Sequence, residues 1–188
     1  MSNSNLETLL KFYESARQEM MSRIQLRENS LMIFLGSVGA LAAAAIQANQ
    51  PIFLLIIPYL TLGISMITLH HNYVIGSTII YCAKELQKDF EKLGITVTQW
   101  DISKTRLKSS KSTRLYRLWG DIGLILTPAL LAIIINYKSW ISGMEYKIAM
   151  SIGVICIVFS FICLKKTLNL RHKVFGELEE KAEGQNPN

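Results

Sequence analysis

Charged residues are scarce in this 188-residue chain: Asp, Glu, Lys and Arg make up 18% of it, against 50% for the apolar set. A typical soluble domain is about 25% charged, so this composition disfavours a protein that is surrounded only by water. Cysteine is scarce too. The three cysteines are an odd number and two of them lie in one apolar run, so we expect neither a disulfide framework nor a metal cluster.

Motifs for catalysis and for cofactor binding are also missing. The sequence contains no Gly-rich nucleotide loop, no HExxH metal motif and no GxSxG nucleophile elbow. We therefore expect no enzyme activity and no cofactor. The apolar runs carry no Lys, Arg, Asp or Glu, which disfavours a proton-coupled pump and a carrier of charged solutes.

Long apolar runs are what the chain does have, and a mean hydropathy of +0.27 agrees with them. At 1.5 Å per residue each run covers about 24 to 28 Å, enough to cross a thin to average bilayer as a helix. Only Asn-Gln-Pro separates the first two runs, so they form a tight hairpin. The four runs are residues 31–48, 52–69, 122–137 and 148–164.

The sequence thus predicts an all-α, polytopic membrane protein with four transmembrane helices in two hairpins and cytoplasmic helical extensions. Its expected segments are a cytoplasmic amphipathic helix (1–30), the first hairpin (31–69), a cytoplasmic helix, loop and basic segment (70–121), the second hairpin (122–164) and a cytoplasmic C-terminal helix with a disordered tail (165–188).

The distribution of positive charge predicts the orientation. Of the 20 Lys and Arg residues, 18 lie before the first run, between the second and third, or after the fourth, and only two lie in the turns at the opposite end. Because cytoplasmic loops are enriched in Lys and Arg, both termini and the long middle segment are expected in the cytoplasm.

Amphipathic patterns flank the spans. Before the first run, apolar residues recur every three or four positions, which predicts one helix from about residue 6 to residue 48. After the second run a coiled-coil-like seam ends at Gly94, the expected C-cap, and residues 94–111 are expected to form a loop. We expect this seam to be a cytoplasmic docking face for a soluble protein partner; it consists of Ile75, Ile79, Cys82, Leu86 and Leu93.

Small residues recur every four positions in the first run. Such a ladder lets two helix backbones approach closely in lipid. Two interpretations stay open: packing within one subunit, or contact between subunits of a homo-oligomer, where the same face could line a narrow path. The candidate packing or pore residues are Gly36, Ser37, Gly39, Ala40, Ala43, Ala44 and Gln47.

Basic residues crowd the segment just before the third run. Each one near an anionic leaflet adds about 1 kcal/mol of attraction. Anchoring to anionic lipid headgroups is the simplest interpretation. Docking of an acidic partner, a nucleotide or a nucleic acid is the alternative, and nucleic acid is not expected because no aromatic-interleaved strand accompanies the charges. The segment contains Lys104, Arg106, Lys108, Lys111, Arg114, Arg117 and Trp119.

One part of the sequence resembles a known family. Residues 14–29, ESARQEMMSRIQLREN, lead into residues 31–36, LMIFLG, and then into the immediate hairpin. This arrangement covers about the first half of the chain. It resembles the small helical transmembrane effectors of bacterial anti-phage operons, the SLATT-type membrane proteins that accompany nucleotide-signalling or reverse-transcriptase modules. The resemblance implies a protein held quiet until a partner or a signal makes it oligomerise or rearrange and depolarise the inner membrane.

Three functions are consistent with this sequence. The first is a gated effector that forms a pore or disrupts the membrane. The second is a non-conducting anchor or sensor subunit that holds a soluble effector near the inner leaflet. The third is a small-solute transporter, which the lack of charged groups inside the spans disfavours.

Overall fold

The computed structural model describes residues 3–95, 104–138 and 143–184, and the side chains of residues 5–95, 119–138 and 143–178. Within these ranges every element is helical, which confirms the predicted all-α class. Four helical segments are long and apolar enough to cross a membrane, in agreement with the four apolar runs. These segments are Asn5–Gln47, Pro51–Lys92, Trp119–Asn136 and Met144–Leu178.

The helices extend well beyond the apolar runs. The first is unbroken, because neither Pro nor Gly occurs before Gly36. The second apolar run belongs to a continuous helical stretch that opens with Pro51, which is favoured in a first turn because it lacks an N–H. The elements are α1 (Asn3–Gln47), a 3₁₀ turn (Pro51–Ile56), α2 (Ile57–Tyr81), a π-helical segment (Cys82–Leu86), α3 (Gln87–Lys92), α4 (Lys104–Asn136) and α5 (Met144–Gly184).

Two helices end in the same way. Gly94 has φ +75° after α3; its N–H donates to Glu91 O at 2.9 Å, and that of Ile95 donates to Phe90 O at 3.0 Å. This is a Schellman cap, and it confirms the prediction that Gly94 ends the helix. Asn49 takes the corresponding position after α1, with φ 51°. Asn is the residue other than Gly that tolerates this left-handed backbone best.

The expected loop over residues 94–111 is partly wrong, because α4 already begins at Lys104. The stretch from Lys104 to Trp119 contains neither Pro nor Gly, so nothing in the chain prevents the helix from starting a full four turns before the apolar run. The rest of the expected loop, residues 96–103, lies outside the described residues.

The described residues fall into two units. The apolar unit takes its residues from Arg27–His70 and Arg117–Thr167. Its core contains two clusters, one around Phe34, Ile64 and Ile125 and another around Ala45, Ile57 and Ala129. Many large apolar side chains point outward from this unit, among them Ile33 at 70% exposed and Ile134 at 66%. Such a surface suits a hydrocarbon environment.

The polar unit takes its residues from Met1–Leu26, His71–Tyr116 and Leu168–Asn188. Its core cluster contains Ala83, Val174 and Leu178. Met20 of α1 is also buried, at 6% exposed, and it belongs to the apolar stripe that the sequence predicts for the first helix. The amphipathic pattern of that helix therefore corresponds to a real difference in burial between its faces.

Candidate subunit interface

The small-residue face of α1 is uncovered within the described chain. Gly36, Gly39, Ala40, Ala43, Ala44 and Gln47 are all exposed, and only Ser37 is half-buried. A Cβ placed on Gly36 or on Gly39 would meet no described atom within 4 Å. The structure thus brings these seven residues together along one helix and packs no other part of the described chain against the two glycines.

The opposite face of α1 is packed. Phe34 is 4% exposed and Ala45 is 7% exposed, and both belong to the core clusters of the apolar unit. Helical geometry places residues 34, 38, 41 and 45 on one face and residues 36, 40, 43 and 47 on the other. The face of Phe34 and Ala45 therefore holds the helix within its own unit, and the face of Gly36 and Ala40 stays uncovered.

Several hydroxyl groups inside the apolar unit donate hydrogen bonds to backbone carbonyls. Ser65 Oγ donates to Thr61 O at 2.7 Å, and Ser160 Oγ donates to Cys156 O at 2.7 Å. On the candidate face, Ser37 Oγ donates to Ile33 O at 2.9 Å. Each bond returns to the carbonyl four residues earlier, which keeps a hydroxyl tolerable in an apolar environment.

Asn136 is a more unusual polar residue of the apolar unit, because it is fully buried. Its Nδ2 donates to Pro51 O at 2.9 Å and to Ala132 O at 2.9 Å. The first of these bonds ties the start of the 3₁₀ turn to the end of α4. Sequence reasoning gave this residue no role, since an Asn near the end of an apolar run does not reveal which backbone carbonyl it will meet.

All five residues of the predicted docking face belong to the polar unit, and most of that face is buried there. Cys82 is 3% exposed and Leu86 is 2% exposed, while Ile75, Ile79 and Leu93 are partly buried. Ile79 packs against the cluster of Ala83, Val174 and Leu178. The chain itself therefore covers most of this face. Only the partly buried residues at its edges are accessible to a soluble partner.

The C-terminal part of α2 pairs with α5 inside the polar unit. Arg171 donates from Nη2 to Asn72 Oδ1 at 2.9 Å, and a Cβ on Gly76 would lie 3.0 Å from Val174 Cγ2. Further toward the C-terminus, in the π-helical segment that continues α2, Lys84 Nζ donates to Glu177 Oε2 at 2.5 Å. The order of these contacts shows that the two helices run in the same direction in this unit.

A π-helical segment interrupts the seam at Cys82–Leu86. Residues 82–83 and 86–87 are buried as pairs of neighbours, as residues 64–65 and 71–72 are in α2. The predicted seam contains only one residue of each buried pair, so it omits Ala83 and Gln87. Gln87 is 3% exposed and donates from Nε2 to Glu91 Oε1 at 3.0 Å.

The predicted basic segment now has a helical backbone, since Lys104 is the first residue of α4. The side chains of Lys104, Arg106, Lys108, Lys111, Arg114 and Arg117 lie outside the described set, whereas Trp119 is 64% exposed. Among the described residues, no group of three or more His, Cys, Asp or Glu is arranged to hold a metal ion.

Comparison of this chain with protein-family models, curated proteins and solved structures found no match. The functional argument therefore depends on the residues and contacts of this chain.

Proposed function

We propose that this protein is a membrane effector of a bacterial defence system that associates through α1 and makes the inner membrane leak ions. The observation that supports this proposal best is the uncovered small-residue face of α1. Helices in lipid gain no hydrophobic free energy by associating, so close contact between small residues is a main source of attraction between them. A second copy of α1 is the natural occupant of such a face.

The charge pattern supports an orientation for this effector. With 18 of 20 Lys and Arg residues on one side, the four spans form two hairpins with both termini in the cytoplasm. The polar unit then lies in the cytoplasm, where a soluble protein partner or a signal reaches it, and the basic segment lies near anionic lipid headgroups.

Activation follows from differential affinity. Helices α1 and α5 each contribute residues to both units, so each is a direct covalent link between the cytoplasmic side and the membrane. A partner that binds the polar unit better in the leaking arrangement than in the quiet one shifts the population toward leakage, by its difference in affinity and no more.

The test is expression of the full chain in a bacterium while a voltage-sensitive dye reports membrane potential and optical density reports growth. The protein should depolarise the membrane before growth stops. A Gly36→Leu/Ala40→Leu variant should insert normally but abolish depolarisation, because bulky side chains keep the α1 faces apart.

Gly63→Leu is the matched control, since a Cβ on Gly63 also meets no described atom within 4 Å and the residue lies on α2. This control should depolarise like the unchanged protein. Undiminished leakage from the Gly36→Leu/Ala40→Leu variant would contradict the proposal, and a flat signal from inserted wild-type protein, with or without a co-expressed partner, would favour the non-conducting anchor.

A further inference from the structure

An apolar groove of about 960 Å³ lies between α1 and α4 within the apolar unit. One wall extends from Leu35 of α1 to Asn49, just after the end of that helix, and the α4 wall extends from Gly123 to Ile135. The side chains of Asn49 and Thr127 are the polar members of this lining, and the rest are apolar. The groove is separate from the small-residue face of α1.

The dimensions of the groove suit hydrocarbon chains. The α4 wall is about 18 Å long at 1.5 Å per residue, slightly more than half of a bilayer core of about 30 Å.

Polar side chains occur at one end of the groove and just beyond it in the chain. Asn49 lines this end, and exposed Lys138 follows one turn after Ile135 on the same face of the chain. The Asn136 amide donates to the carbonyls of Pro51 and Ala132, two residues of the lining, so this end is held in place without a ligand. An anionic group on an apolar molecule would be complementary to this arrangement.

We propose that the groove is a binding site for one diacyl phospholipid, whose phosphate lies at Lys138 and Asn49 and whose acyl chains follow α4 toward Gly123. The phosphate forms a charge-assisted contact with the Lys138 ammonium. The acyl chains gain dispersion contacts along both walls. The site goes beyond the proposed function, because it exists whether or not the protein conducts ions.

A groove-filling substitution tests the site. Gly123 lines the groove, and a Cβ there meets no described atom within 4 Å, so Gly123→Phe fills the space without disturbing the core. Native mass spectrometry of the purified full chain counts the phosphatidylglycerol retained per chain. We expect one lipid on the wild-type protein, one on the matched control Gly63→Phe, and a loss on the order of tenfold in affinity for Gly123→Phe.

A second variant tests the headgroup contact and leaves the groove walls intact. Lys138→Gln should remove the preference for phosphatidylglycerol over diacylglycerol, which has the same chains but no phosphate. Retention of phosphatidylglycerol by Gly123→Phe at the wild-type level would overturn the proposal. It would also be overturned if Gly123→Phe changed self-association but not lipid content, which would identify a second copy as the occupant, or if Lys138→Gln kept the phosphate preference.

Discussion

Glu177 shows how a single side chain couples two helices of the polar unit. The hydrogen bond from Lys84 lowers the pKa of the Glu177 carboxyl below its ordinary value of 4.5, and the charge of Lys173 acts in the same direction. The contact joins residues 93 positions apart in the chain. No local pattern in the sequence pairs these two residues, although the opposite charges are plain to see.

The lowered pKa predicts a pH dependence of stability. A carboxyl whose pKa is lower in the folded state stabilises that state above its unfolded pKa, and this contribution is lost as the pH falls through the folded pKa. In a thermal unfolding series from pH 7 down to about pH 3, Glu177→Gln should have a lower Tm than the wild type at neutral pH. The difference should shrink as the pH falls through the lowered pKa of Glu177.

Glu7→Gln is the control, because Glu7 pairs with Lys11 on the exposed surface of α1, where a pair of this kind contributes little. Its Tm should follow that of the wild type throughout. A constant difference between Glu177→Gln and wild type at every pH would show that the loss is one of packing and not of charge.

At the scale of elements, the sequence predicts where helices start and stop better than it predicts how they touch. The unbroken α1 and the cap at Gly94 follow from residue types, because Pro, Gly and a left-handed backbone have strong local preferences. The early start of α4 and the π-helical segment were missed. Ser, Thr and Lys between residues 104 and 113 are compatible with either a helix or a loop, and a π-turn depends on what packs against it.

The pairing of α2 with α5 depends on the absence of a side chain at Gly76. A Cβ there would lie 3.0 Å from Val174 Cγ2, and valine is stiff at χ1. Gly76→Leu should therefore destabilise the polar unit by about 1 to 3 kcal/mol, the usual cost of overpacking. Thermal unfolding and limited proteolysis of the purified protein measure this loss.

Gly176→Leu on α5 provides the comparison, since a Cβ on Gly176 meets no described atom within 4 Å. That variant should unfold like the wild type. Adding Val174→Ala to Gly76→Leu should recover part of the lost stability, and no recovery together with equal destabilisation by Gly176→Leu would contradict this account of the helix pair.

At the scale of the whole molecule, composition and charge predict more than any single motif does. Low charge and four apolar runs predict the membrane class, which the four long apolar helices support. The small residues of α1 do not by themselves predict which helix packs against them, because such residues suit packing within a chain or between chains. The contacts of Phe34 and Ala45 show which side of α1 faces its own unit, and the small-residue face on the other side stays exposed.

Cross-linking in native membranes tests the central claim, that α1 associates with α1, most directly. In a variant with Cys82, Cys156 and Cys163 replaced by Ala, a cysteine is placed by Ala40→Cys on the small-residue face or by Met66→Cys on α2, where Met66 is 57% exposed. A disulfide needs Cα atoms about 4.4 to 6.8 Å apart, so only a close helix contact supports it. The account predicts oxidised dimers for Ala40→Cys and monomers for Met66→Cys; monomers for both, or equal dimers for both, would contradict it.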